Sequence, residues 1–88
     1  MRLREGLILR DVGGDHVAVT VGEARKRFNG LMRNNDTADF IYRQLQSETT
    51  EEAIVEAMFE EYDAPREVIA ADVHELLEQI RETGLLEE

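Results

Sequence analysis

The stretch Ala64-Pro65-Arg66-Glu67-Val68-Ile69-Ala70-Ala71-Asp72-Val73-His74-Glu75-Leu76-Leu77-Glu78-Gln79-Ile80-Arg81-Glu82-Thr83-Gly84-Leu85-Leu86 reads as one complete helix with its start and stop written in. Pro65 suits the helix start, where a missing N–H leaves no helical bond unmade. Gly84 lies just past the end, where a left-handed backbone is cheapest without a Cβ. Leu85 then falls where it can fold back on Ile80. Between these signals Ile69, Val73, Leu76 and Ile80 recur at helical spacing and predict one apolar stripe.

Two further helices precede it. Asn34-Asn35-Asp36-Thr37 opens the first, with Asn35 as the N-cap and Asp36 at the positive end of the helix dipole. Ala38, Ile41, Tyr42 and Leu45 form its buried stripe, and Phe40 falls off that stripe and needs a second surface. Thr49-Thr50-Glu51-Glu52 reads as a capping box, with Thr49 as cap and Glu52 reaching back. Ile54, Val55, Met58, Phe59 and Tyr62 then follow at helical spacing.

Upstream the pattern changes from helical to strand-like. Leu7, Ile8, Leu9 and Val12 favour a strand over residues 6–12. Gly13-Gly14-Asp15 is a turn signal, so a hairpin follows. In the return strand Val17, Val19 and Val21 face one way and His16, Ala18 and Thr20 the other, with His16 outward. Gly22 and Arg25-Lys26-Arg27 form a charged connection. Phe28-Asn29-Gly30-Leu31-Met32-Arg33 reads as a shorter third strand, and Gly30 suits an edge or a close approach of another backbone. The expected architecture is therefore α+β and winged-helix-like: a three-stranded antiparallel sheet followed by three helices, as one domain over residues 1–88.

Composition narrows the function. A chain of 88 residues buries only about 60–65% of its unfolded surface, so one modest core consumes most of its apolar side chains. There is no cysteine, which removes disulfides, thiolate metal sites and cysteine nucleophiles. No signal peptide or membrane-length apolar run is visible, which predicts a cytoplasmic protein. The net charge of −10 is unevenly placed. Residues 1–33 hold seven Arg/Lys and four Asp/Glu, a net +3; residues 34–88 hold three and sixteen, a net −13. Solvation of the helices accounts for such carboxylates, and the same coat also suits a neutral or basic partner and repels nucleic acid.

Catalytic chemistry is hard to find. His16 and His74 read as surface histidines. Ser47 is the only serine and lies between helices, preceded by Gln46 and not by the aspartate of an acyl carrier. Val12-Gly13-Gly14-Asp15 lacks the strand–loop–helix setting of a phosphate loop. No enzyme activity, cofactor or metal is expected.

Two binding readings remain for a sheet with three helices. In a winged-helix DNA-binding regulator the third helix would enter the major groove. Here that helix carries Glu67, Asp72, Glu75, Glu78 and Glu82, which phosphates repel. The other use of the sheet is its edge, which offers unpaired N–H and C=O groups to an extended peptide.

Val21-Gly22-Glu23-Ala24, Phe28-Asn29-Gly30, Asn35-Asp36-Thr37-Ala38, Thr49-Thr50-Glu51-Glu52, Glu61-Tyr62-Asp63, Ala71-Asp72-Val73 and Gly84-Leu85-Leu86 occur in an order and spacing that resemble the PqqD-like family. These are the precursor-peptide recognition elements of ribosomal peptide modification. The resemblance runs from about residue 5 to the end of the chain. It departs at Asn34, where an apolar residue more often precedes the helix-opening Asn, and at Ala64-Pro65, where an acidic cap is common. The resemblance implies a peptide chaperone that captures a leader segment and presents the precursor to a modifying enzyme, often a radical S-adenosylmethionine maturase. It implies a leader strand beside Phe28, Asn29, Gly30, Leu31, Met32 and Arg33, and a groove wall from Val68, Asp72, Leu76 and Gln79. Ala70, His74, Leu77 and Arg81 form the less favoured flank. Asp72 either braces the fold or meets a basic leader residue. Nucleic acid and membrane are not expected partners, and the protein is expected to be a monomer or weak homodimer.

Overall fold

The computed structural model describes residues 1–88. Two short strands, β1 (Arg2–Leu3) and β5 (Leu86–Glu87), pair antiparallel and bring the two ends of the sequence together. Between them run β2 (Leu7–Val12), β3 (Asp15–Thr20), a 3₁₀ turn (Gly22–Lys26), β4 (Leu31–Asn34), α1 (Asp36–Gln44), α2 (Glu51–Glu61) and α3 (Arg66–Thr83). The fold is α+β: an antiparallel sheet in the order β2-β3-β4, then three helices. The winged-helix likeness is approximate.

The hairpin turns on Gly13 and Gly14, both at positive φ (58° and 87°) between the paired Val12 and Asp15. Positive φ at both central residues matches the right-handed twist of the flanking strands. Gly6 meets a stricter demand: at φ 97° a Cβ there would lie 2.5 Å from the Val21 carbonyl oxygen. That oxygen belongs to the residue whose N–H donates to Gly6 O at 2.7 Å.

Register corrects the expected facing of β3. Leu7 pairs with Thr20, Leu9 with Ala18 and Asp11 with His16, and Met32 and Asn34 of β4 oppose Ala18 and His16. The helices cover this face, where Ala18 and Thr20 are buried. His16 therefore points toward the helices and not outward. A small Ala18 lets helix side chains approach closely, which is why the valines take the other face. Val17 is buried there as well, flanked across the ladder by Arg10 and Arg33, whose aliphatic stems suit an apolar neighbour.

The core joins Ile41, Tyr42 and Leu45 of α1 to Ile54, Val55 and Met58 of α2 and Ile69, Val73, Leu77 and Ile80 of α3, with Leu3, Leu7, Leu85 and Leu86 closing its end. Leu77, not Leu76, completes the α3 stripe: Leu77 is fully buried and Leu76 half-buried. One helix start shifts from expectation. Thr50 caps α2, accepting from Ala53 N–H at 3.1 Å, one residue after the expected Thr49. Asn35 caps α1 as its sequence implies, accepting from Ala38 N–H at 2.8 Å. Pro65 is the cap residue of α3 and makes no side-chain cap bond. Gly84 ends α3 in the left-handed conformation at φ 77°. Phe40 finds its second surface in Tyr62, edge to face at 5.7 Å between ring centroids.

The terminal pairing was not foreseen, because two-residue strands carry no readable alternation. Leu3 N–H donates to Leu45 O, Arg4 N–H to Leu85 O and Arg4 Nε to Gly84 O. These bonds hold the first strand against the helical layer.

Candidate peptide-binding site

β4 is an edge of the sheet, paired with β3 on one side only. Its far side carries the unpaired backbone groups that an added strand needs. The expected third strand began at Phe28; the observed strand begins at Leu31 and extends through Asn34. Phe28 and Asn29 are held otherwise. Phe28 packs partly against the core, and its carbonyl accepts from Thr20 Oγ1 at 2.7 Å. Asn29 Oδ1 accepts from Arg25 Nε at 3.2 Å. Gly30, at φ 157°, links this pinned segment to the strand. Pleating sends Met32 to the core face, where Tyr42 donates to its sulfur at 3.6 Å, and sends Leu31 and Arg33 to the outer face. Leu31 is 59% exposed, a large apolar side chain standing open on an edge strand.

A cavity of about 250 Å³ begins where β4 ends. α1 supplies one wall, with the N-cap Asn35, Thr37, Ala38 and Ile41; α3 supplies the other, with Asp72, Glu75, Leu76 and Gln79. Three of the four expected α3 residues, Asp72, Leu76 and Gln79, thus meet in one groove. Val68, one turn before Asp72, is exposed and lies outside its lining. The sequence marks Asn35 as a cap and Ala38 and Ile41 as α1 core, and it places none of these, nor Thr37 or Glu75, in a groove. Their own signal was the exposed cap of α1, which marks a helix end but not what faces it. Nδ2 of Asn34, the last β4 residue, is buried and makes no hydrogen bond. Asn34 is one of the two departures from the family pattern noted in the sequence, and it stands opposite His16 across the ladder.

The opposite flank of α3 has a different character. Leu77 belongs to the core. Ala70 and His74 line a second cavity of about 490 Å³ with α2 residues Glu51, Glu52, Val55 and Glu56 and with Arg66. Four of its five polar side chains have partners: Arg66 pairs with Glu56 and stacks over Phe59 at 4.6 Å, and His74 meets Glu51 at 3.1 Å, while Glu52 has none. This hollow is larger, but its lining comes from α2 and α3 alone and includes neither the Asn35 cap that follows β4 nor any other α1 residue.

One polar cluster braces the groove from the side. His16 Nδ1 lies 2.7 Å from Asp11 Oδ1 and 3.5 Å from Asp39 Oδ2, and Nε2 lies 2.9 Å from Asp36 Oδ1. Arg43 joins the same carboxylates, at 2.6 Å from Asp39 and 3.2 Å from Asp11. Only the imidazolium donates at both nitrogens. Its bond to Asp11, then that to Asp36, accordingly raises the His16 pKa, and His16 lowers that of Asp11. The cluster ties the hairpin to the first turn of α1, from which Asn35, Thr37 and Ala38 line the groove. It is a structural tie, and His16 is no free surface residue.

Comparisons with known proteins give the family and the fold. The sequence model of the family described as "Coenzyme PQQ synthesis protein D (PqqD)" matches residues 11–86. Two solved structures share the fold. "TbiB1 in Complex with the TbiA(beta) Leader Peptide" superposes with a TM-score of 0.78 at 18% identity, over 99% of this chain and 95% of that one. "Lasso peptide synthetase B1 complexed with the leader peptide" superposes with a TM-score of 0.73 at 21% identity, over 96% of this chain and 93% of that one. No curated protein matches the chain.

Proposed function

The chain belongs to the PqqD family, and from that membership we propose that it is a non-catalytic partner protein that captures the leader of a ribosomally made precursor peptide. The observation that carries this reading is the open edge of β4 running into the α1–α3 cavity at Asn35. The leader adds to β4 as an antiparallel strand. Its main chain bonds to Leu31–Asn34, and its alternate side chains enter the groove beside Asp72, Leu76 and Gln79. Phe28, Asn29 and Gly30 hold the start of β4 in place. Val68 extends the α3 wall beyond the cavity. The bound precursor is then presented to a modifying enzyme, for which a radical S-adenosylmethionine maturase is the family's usual choice. That two structures of the same fold are complexes with leader peptides supports this reading.

The DNA-binding alternative finds no support. α3 presents Glu67, Asp72, Glu75, Glu78 and Glu82 to solvent, and a phosphate backbone binds cationic side chains. The test of the proposal is a fluorescence-anisotropy titration of the labelled leader of a short precursor reading frame sought beside this gene. Saturable binding by the leader, and none by the core segment of the same precursor, supports leader capture. Equal binding of both, or of neither, contradicts it.

A further inference from the structure

The α1–α3 groove carries two carboxylates that the protein leaves uncompensated. Asp72 and Glu75 line it, both exposed, and neither takes part in an ion pair. No Arg, Lys or His is among the lining residues. Elsewhere the scarce cations of the helical half are all engaged: Arg43 with Asp11 and Asp39, Arg66 with Glu56, Arg81 with Glu78 and Glu88. The groove is not uniformly polar. Leu76 and Ala38 are each only partly buried there, above the buried Ile41, so an apolar patch lies beside the two charges.

Resting on leader capture at β4, we propose that the groove selects a leader strand bearing a Lys or Arg two residues from an apolar side chain, both facing α3. The cation meets Asp72 and Glu75, and the apolar side chain covers Leu76 and Ala38. The spacing follows from repeat lengths. Same-face residues on a strand recur at about 6.6–6.8 Å, and one turn of α3 rises about 5.4 Å, so adjacent inward side chains fit adjacent turns of the helix. A cation bonded to carboxylates at a partly desolvated site gains more than one in open water, whereas an acidic side chain there meets like charge. The net −13 over residues 34–88 draws such a leader in and disfavours an acidic one.

The test uses mRNA display of random 18-residue peptides against the full-length protein, with amide exchange to find which selected peptides protect residues 31–34. Peptides that protect this edge are expected to be enriched in Lys or Arg at one position, with an apolar residue two places away. For such a peptide, Lys→Gln should weaken binding on the order of tenfold to a hundredfold. On the Asp72→Asn, Glu75→Gln double variant the same peptide change should cost less than about threefold, because its partner charges are gone. Both positions are exposed, so the double variant keeps its fold. Edge-protecting peptides without cationic enrichment overturn the inference while leaving leader capture intact. So does a Lys→Gln loss of equal size on the wild type and the double variant. A selection that yields no edge-protecting peptide removes leader capture itself, and the inference with it.

Discussion

His16 shows how one residue can couple the sheet to the site. Asp11 of β2 and Asp36 and Asp39 of α1 surround its ring, and Arg43 shares Asp11 and Asp39 with it. Because its pKa is raised in the fold, its contribution to stability is whole below the ordinary histidine value of about 6.5 and is lost as pH rises through the raised folded value. Thermal melts from pH 5.5 to 8.5 should show the wild type losing stability relative to His16→Gln as pH rises, with the gap closing at the alkaline end. A pH-independent gap would mean that the ring acts by packing alone. Leu76 and Leu77 divide two roles between neighbours. Leu77→Ala removes a fully buried side chain and should cost about 2–5 kcal/mol by chemical denaturation. Leu76→Ala should cost well under half of that and weaken leader binding instead. The reverse order would put Leu76 in the core and take the apolar patch out of the groove. The apolar spacing of α3 alone put Leu76, not Leu77, on the buried stripe, since both fall within reach of a broad helical stripe. Contact with α1 is what separates them.

At the scale of elements, the parts with strong local chemistry were legible. The Gly13-Gly14 turn, the Asn35 cap and the Gly84 stop each fix backbone geometry with residues that favour it locally. The parts set by tertiary contact were not. The start of β4 depends on Thr20 holding the Phe28 carbonyl, and β1 depends on a partner more than 80 residues away. The buried face of β3 depends on which side the helices cover. In the same way Asp72, Leu76 and Gln79 could be read as one flank of α3, but their opposing wall on α1 is a product of packing. The central element is the β4 edge, and proline tests it directly because it deletes one N–H and fixes φ. Adjacent N–H groups on a strand point to opposite sides. Of Leu31→Pro and Met32→Pro, the variant whose N–H faces β3 should lose stability. The other should keep its circular dichroism spectrum yet lose the leader. If both remain folded and both still bind, strand addition at this edge is wrong, and the site moves to the helical surface around Phe40.

On the scale of the whole molecule, charge is segregated: a basic sheet half and an acidic helical half. No helix is long and apolar enough to cross a membrane. Duplex DNA at low ionic strength, where attraction is least screened, should show no sequence-dependent submicromolar binding in an anisotropy titration; such binding would reopen the regulator reading. In the proposed site the sheet, α1 and α3 each contribute one part: an edge, a cap and a wall. Peptide capture therefore needs all three in register, and its mark on the protein is spatially narrow. The most direct measurement is amide nuclear magnetic resonance of the full-length chain titrated with the leader of its precursor peptide. The account requires slowed exchange at alternate amides of Leu31–Asn34 together with shifts at Asp72, Leu76 and Gln79, while the α2 cavity around Glu52 and Ala70 stays still. Shifts centred on that α2 cavity, with the β4 amides unchanged, would contradict it.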